Sequence, residues 1–147
     1  MTLLNRYRLI CLALAALATA PLAAAADRVY LEVSPDGTDD LLALLDDLDQ
    51  ALLGDEPQSD PVVVVLHGPE AEPFIRSNYS DNRALIDRAA RLQAFERLDL
   101  RMCESWMERN GFSRRDLLPF VEPIPYAPEE VERLRTEGYR PYVKHRL

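Results

Sequence analysis

"VVVVLHG", residues 62–68, is the most informative segment of the sequence about the fold. Four β-branched valines and a leucine follow one another with no polar residue between them, and Gly68 ends the run. A strand that is apolar at every position is buried on both faces, which is typical of a parallel sheet covered by helices. The stretch therefore predicts a central strand, Val62 to Gly68, in an α/β protein.

The segments before this strand predict one further strand and one helix. "DRVYLEV" begins with alternating residues and predicts a first strand over Arg28–Val33. The helix that follows can be capped by Thr38 and ended by Gly54. Its leucines recur three or four residues apart, as a helix with one buried face requires: Leu41, Leu44, Leu45, Leu48 and Leu52.

The segments after the central strand continue the alternation. "SDNRALIDRAARLQAFERL", residues 80–98, predicts an amphipathic helix capped by Ser80. "LDLRMC", residues 98–103, predicts the third strand, and "ESWMERNG", residues 104–111, predicts a short helix closed by glycine. The residues predicted to face the core from the amphipathic helix are Leu85, Ala89, Leu92 and Phe95.

The last third of the sequence completes the sheet. "VEPIPY", residues 121–126, predicts an edge strand because Pro123 and Pro125 cannot donate to a central ladder. "APEEVERLRTEG", residues 127–138, predicts a helix with Glu129 facing Arg133, and "YRPYVKH", residues 139–145, predicts a fifth strand. Strand and helix alternate throughout, so residues 27–147 are predicted to form one three-layer α/β domain with a mostly parallel five-stranded sheet.

The first 26 residues have the pattern of a secretory signal peptide. Arg6 and Arg8 precede an apolar run from Leu9 to Ala26, and charge resumes at Asp27. We therefore expect cleavage near Asp27 and a periplasmic protein that is free of the membrane after cleavage. An uncleaved membrane anchor is the alternative that this pattern leaves open.

The charge of the chain excludes one class of partner. The formal net charge is −8, and removing Arg6 and Arg8 with the signal peptide would lower it by two, to −10. Phosphates attract basic surfaces, so a chain this acidic is a poor candidate for binding nucleic acid or an anionic membrane.

Cysteine usage points to a single thiol. The chain has two cysteines, and Cys11 lies within the predicted signal peptide, so Cys103 remains alone and has no partner for an internal disulfide. A lone cysteine in an exported protein is a reactive thiol, a site of intermolecular pairing, or a buried inert residue.

His67 and Cys103 end neighbouring strands in the predicted sheet. The carboxyl ends of parallel strands share one edge, where ligand sites gather, so both side chains are predicted to lie there. The start of the following helix favours a thiolate at Cys103, and Arg101 and Arg109 are further candidate stabilisers. His67 is either a partner that takes the thiol proton or a polar residue that finishes its strand.

The sequence contains no motif for a metal or an organic cofactor. It has no C-x-x-C pair, no Gly-rich phosphate loop and no G-x-S-x-G elbow. Its two histidines and Cys103 are too far apart in sequence for a zinc motif. We therefore predict neither a cofactor nor a metal.

From Val62 to Tyr142 the chain resembles the DsrE/DsrF-like family of small sulfur-handling proteins. The resemblance is carried by "VVVVLHG", by the strand that ends in Cys103, and by "ESWMERNGFSRRDLLPFVEPIPYAPEEVERLRTEGY". In that family a valine-rich strand ends in His-Gly, a later strand ends in cysteine, and a proline-containing strand precedes a last helix ending in Glu-Gly-Tyr or Gln-Gly-Tyr.

The resemblance implies a flavodoxin-like fold, homo-oligomers such as trimers or hexamers, and sulfur transfer through a persulfide. Cys103 matches the family's cysteine, so it would carry sulfane sulfur, as a carrier or sulfurtransferase, between a donor and an acceptor thiol protein. Two other functions stay open: a non-catalytic binding or assembly module with Cys103 buried, and a redox-sensing thiol that forms an intermolecular disulfide.

Overall fold

The computed structural model describes residues 28–33, 38–53 and 60–143. The signal peptide predicted over residues 1–26, and its cleavage point, lie outside the described residues. Within them the strands are β1 (Val29–Glu32), β2 (Val62–Leu66), β3 (Leu98–Cys103), β4 (Val121–Ile124) and β5 (Arg140–Pro141). The helices are α1 (Thr38–Leu53), α2 (Arg83–Ala94), α3 (Glu104–Arg109) and α4 (Ala127–Thr136), with short 3₁₀ turns at Pro69–Phe74, Arg76–Asn78 and Arg114–Asp116.

The strands form one parallel sheet in the order β4-β3-β2-β1-β5. β2 lies in its centre, and each of its five residues is buried. This confirms the prediction from the valine run, because a strand that helices cover on both faces has no solvent-facing side chain. β4 lies at an edge, as its prolines predicted.

Helices cover both faces of the sheet, so the chain has a three-layer α/β/α, flavodoxin-like fold. The strands from β1 to β4 are added in one direction, and right-handed crossovers therefore place α1, α2 and α3 on one face. The chain then returns through α4, on the other face, to β5 beside β1. Arg88 of α2 joins the first two helices through ion pairs with Asp46 and Asp49 of α1.

Contacts with α4 show which strand residues lie on its face. Arg135 of α4 donates to the Tyr30 hydroxyl at 2.8 Å, and Glu130 of α4 pairs with Arg101 of β3. Cross-strand partners in register share a face, and side chains alternate along each strand. Glu32 is in register with Val65, and Val65 with Arg101, so these positions all lie on the α4 face.

The predicted start and buried face of α2 were partly wrong. The helix begins after Asn82, not at Ser80, and Phe95 is 57% exposed. Phe95 follows the last helical residue, where the chain already turns toward β3 through Glu96 at φ 55°. The buried residues of the helix are Ile86, Ala89 and Leu92.

Two smaller predictions also differ from the structure. Arg133 pairs with Glu130 and Glu137, not with Glu129. β2 ends at Leu66, two residues before the predicted end, because the next two main-chain N–H groups bind a side chain. β3 occupies the predicted residues, and Gly111, at φ 79°, follows α3 as expected.

Candidate functional site

The two residues predicted for the site lie at the carboxyl edge of the sheet, at the ends of adjacent strands. β2 and β3 are paired as far as Leu66 and Met102, so His67 and Cys103 are the next residues on two adjacent strands. Cys103 also pairs in register with Ile124 of the edge strand β4. By alternation Cys103 lies on the same face as Arg101, which is the face that α4 covers.

A third residue at this edge was not predicted. Glu32 ends β1, and its Oε1 lies 3.5 Å from Nε2 of His67. Strands β1, β2 and β3 are neighbours in that order, so His67 comes from the strand between the carboxylate and the thiol. We call Glu32, His67 and Cys103 the edge cluster.

A buried carboxylate fixes the main chain at His67. Glu70 is 4% exposed, and its Oε1 accepts hydrogen bonds from the backbone nitrogens of His67 at 2.9 Å and Gly68 at 2.7 Å. Charge-assisted bonds of this kind are stronger than neutral ones. They replace the ladder bonds that a longer β2 would have made, so they hold His67 just beyond the end of the strand.

Gly68 is required by the same carboxylate. A Cβ atom at this position would lie 2.5 Å from Oε2 of Glu70, which is closer than such atoms approach. The carboxylate is buried and holds two N–H groups, so it cannot move without losing both bonds. The glycine that ends the valine run therefore has a local structural reason.

The thiol of Cys103 is enclosed. The residue is 2% exposed and belongs to the hydrophobic core together with Ile124 and Trp106. α3, which begins directly after Cys103, has six residues, less than two turns. Apolar core side chains surround the thiol.

Two of the charged side chains near Cys103 in sequence, Arg101 and Glu104, are paired with other groups. Arg101 binds Asp99 and Glu130, and Arg109 is exposed at the end of α3, so the structure does not bring either arginine to the thiol as a free cation. Glu104 forms a two-point ion pair with Arg114. These hydrogen bonds from Arg114 hold the pKa of Glu104 below its ordinary value.

A cleft of about 270 Å³ lies beside α3 and does not include the edge cluster. Met107 and Phe112 supply its apolar lining, and Glu104, Glu108, Ser113 and Arg114 supply the polar groups. Within the described part of the chain, no group of three or more His, Cys, Asp or Glu side chains is arranged to hold a metal ion. None of the helices described is long and apolar enough to span a bilayer.

Comparison with known proteins adds evidence on the fold. No protein-family model matches the sequence, and no curated protein matches it. The structure is similar to that of a protein of unknown function from Methanobacterium thermoautotrophicum, with a TM-score of 0.59 and 18% sequence identity. The match covers 78% of this chain and 96% of the archaeal one, so the two share the architecture of the whole domain.

Two site residues escaped prediction, although the sequence carried a signal for each. Glu32 is the acidic residue at the carboxyl end of the first strand, and it alternates with Tyr30 on one face. Glu70 follows the His-Gly pair within three residues, close enough to cap the end of β2. Neither residue can be assigned to the site from these signals until the strand ends and the register are known.

We expect Gly68→Ala to reduce the free energy of unfolding by about 2 kcal/mol, because the new methyl group displaces the Glu70 carboxylate from two buried N–H groups. Urea denaturation of Gly68→Ala, Glu70→Ala and the double variant measures this. The double variant should be about as stable as Glu70→Ala alone, since the bonds are then already lost. Additive losses would show that the two residues act independently.

Proposed function

We propose that this protein carries sulfane sulfur as a persulfide on Cys103, with His67 as the partner that handles the thiol proton. The observation that carries the proposal is the juxtaposition of these two residues on adjacent parallel strands, at the sheet edge where ligands bind in such folds. The resemblance of the sequence to DsrE/DsrF-like proteins supports the same chemistry.

The transfer step is an exchange at sulfur. The Cys103 thiolate attacks the outer sulfur of a donor R–S–SH, so a new S–S bond forms on Cys103 while the S–S bond of the donor breaks. R–S⁻ leaves and takes up the proton that Cys103 lost. There is no net oxidation, and the step requires no electron carrier. Delivery to an acceptor thiol is the same reaction in reverse.

Burial of the thiol favours a second candidate function. Cys103 is 2% exposed in the single chain, and a donor must reach its sulfur for the exchange to occur. A buried cysteine is commonly an inert small apolar residue. If Cys103 is one, the protein is a non-catalytic binding or assembly module on the same fold.

Incubation with glutathione persulfide should raise the intact mass of the purified protein by one sulfur atom, and a reductant should remove it. Cys103→Ser should prevent the gain and keep the fold, because the exchange of sulfur for oxygen is nearly isosteric. Mass spectrometry and circular dichroism measure these effects. A thiol that reacts only after denaturation would contradict the carrier and favour the assembly module.

We also propose that the domain is a homo-oligomer, as the family resemblance implies. A small domain buries a limited part of its surface and gains buried area by association. Light scattering should give a mass near three or six subunits at micromolar concentration. A monomer at that concentration would contradict the proposal.

Export to the periplasm is the location we propose, from the pattern of residues 1–26. When the full chain is expressed in a Gram-negative host, N-terminal sequencing of the periplasmic fraction should begin within a few residues of Asp27. Protein found in the membrane with Met1 intact would instead indicate an uncleaved anchor.

A further inference from the structure

The imidazole of His67 has one ring nitrogen that is buried and lacks a hydrogen-bond partner within the described residues. This atom is Nε2. The Glu32 carboxylate lies beside it, and its Oε1 is 3.5 Å away. The distance is longer than a formed N–H···O bond, which is 2.7–3.2 Å. A rotation of either side chain that shortens it by about half an ångström would satisfy the buried nitrogen.

The two glutamates near His67 act on different parts of it. Glu70 accepts from the main-chain nitrogen of His67 and therefore fixes the backbone. Glu32 faces the ring and is 38% exposed, so its side chain has room to adjust. Other charged or titratable groups near this edge are Arg135, which binds the Tyr30 hydroxyl from α4, and Cys103 on β3.

We infer that Glu32 is a positioning residue that holds the proton of neutral His67 on Nε2. The other nitrogen, Nδ1, is then unprotonated and is available as the base to which the proposed function assigns the thiol proton. When Cys103 loses its proton, His67 becomes an imidazolium, and the Glu32 carboxylate stabilises that charge from the Nε2 side. The proton then passes to the leaving R–S⁻. Thiols are generally activated by a neighbouring base, which is in turn oriented by a third group.

This inference rests on the proposed function for its kinetic consequence but not for its structural one. The tautomer of His67 is a property of the resting protein and does not require Cys103 to react. The chain has two histidines, His67 and His145, so a His145→Ala background leaves one imidazole to observe.

The experiment compares three variants in that background by nitrogen NMR of histidine-labelled protein. Glu32→Leu removes the acceptor, Glu32→Gln keeps an acceptor oxygen without charge, and Glu122→Leu is the control. Glu122 lies on the same sheet face but 4.0 Å from Arg101, with no contact to the ring. We expect one Nε2-protonated tautomer in the parent, in Glu32→Gln and in the control, and a mixture in Glu32→Leu.

The kinetic measurement uses glutathione persulfide and follows the initial rate of sulfur gain on Cys103. Glu32→Leu should lower the rate about tenfold, while Glu32→Gln should recover most of that loss by preserving the tautomer. Glu32→Ala replaces Glu32→Leu if the leucine variant does not fold.

The outcomes separate the two proposals. An unchanged tautomer in Glu32→Leu, or a parent protonated on Nδ1, would overturn the role of Glu32 even if Cys103 carries sulfur. A parent that shows the expected tautomer but takes up no sulfur would support the positioning by Glu32 and refute the carrier function.

Discussion

The register of β2 between β1 and β3 determines which side chains face each helical layer. Every residue of β2 is buried, so the strand is held by apolar contacts on both faces and by ladders on both sides. Side chains alternate with a period of two, and a slip of one residue would move each of them to the opposite face. The same register places Glu32, His67 and Cys103 on the face that α4 covers.

The way in which β2 ends determines the position of His67 at the candidate site. Where a buried strand ends, the next main-chain N–H groups still need hydrogen-bond partners. Glu70 supplies both partners, and Gly68 leaves the space that its carboxylate occupies. His67 is therefore held one step beyond the ladder, where Nε2 of its ring lies 3.5 Å from Oε1 of Glu32.

The sequence predicts the parts of this arrangement that local pattern determines. The apolar run at Val62 and the alternation in "LDLRMC" are local; β3 was found at its predicted residues, and β2 begins where it was predicted but ends two residues earlier. The prediction that Phe95 faces the core was wrong, because the apolar periodicity of α2 continues in the sequence after the helix itself has ended. The roles of Glu32 and Glu70 could not be predicted from the sequence pattern. Strand pairing places Glu32 beside His67, and Glu70 reaches its partners because its side chain folds back into the interior.

In the proposed function the reactivity of Cys103 depends on His67, because the charges of Arg101 and Glu104 are paired with other side chains. Arg101 is two residues from the thiol on the same face, but its guanidinium binds Asp99 and Glu130. The carboxylate of Glu104, which would oppose a thiolate, is neutralised by Arg114. With the charges of Arg101 and Glu104 paired, the proposed sulfur transfer requires the imidazole of His67 to accept the thiol proton inside an apolar environment. The proposed transfer therefore depends on which nitrogen of His67 carries the proton as well as on Cys103 itself.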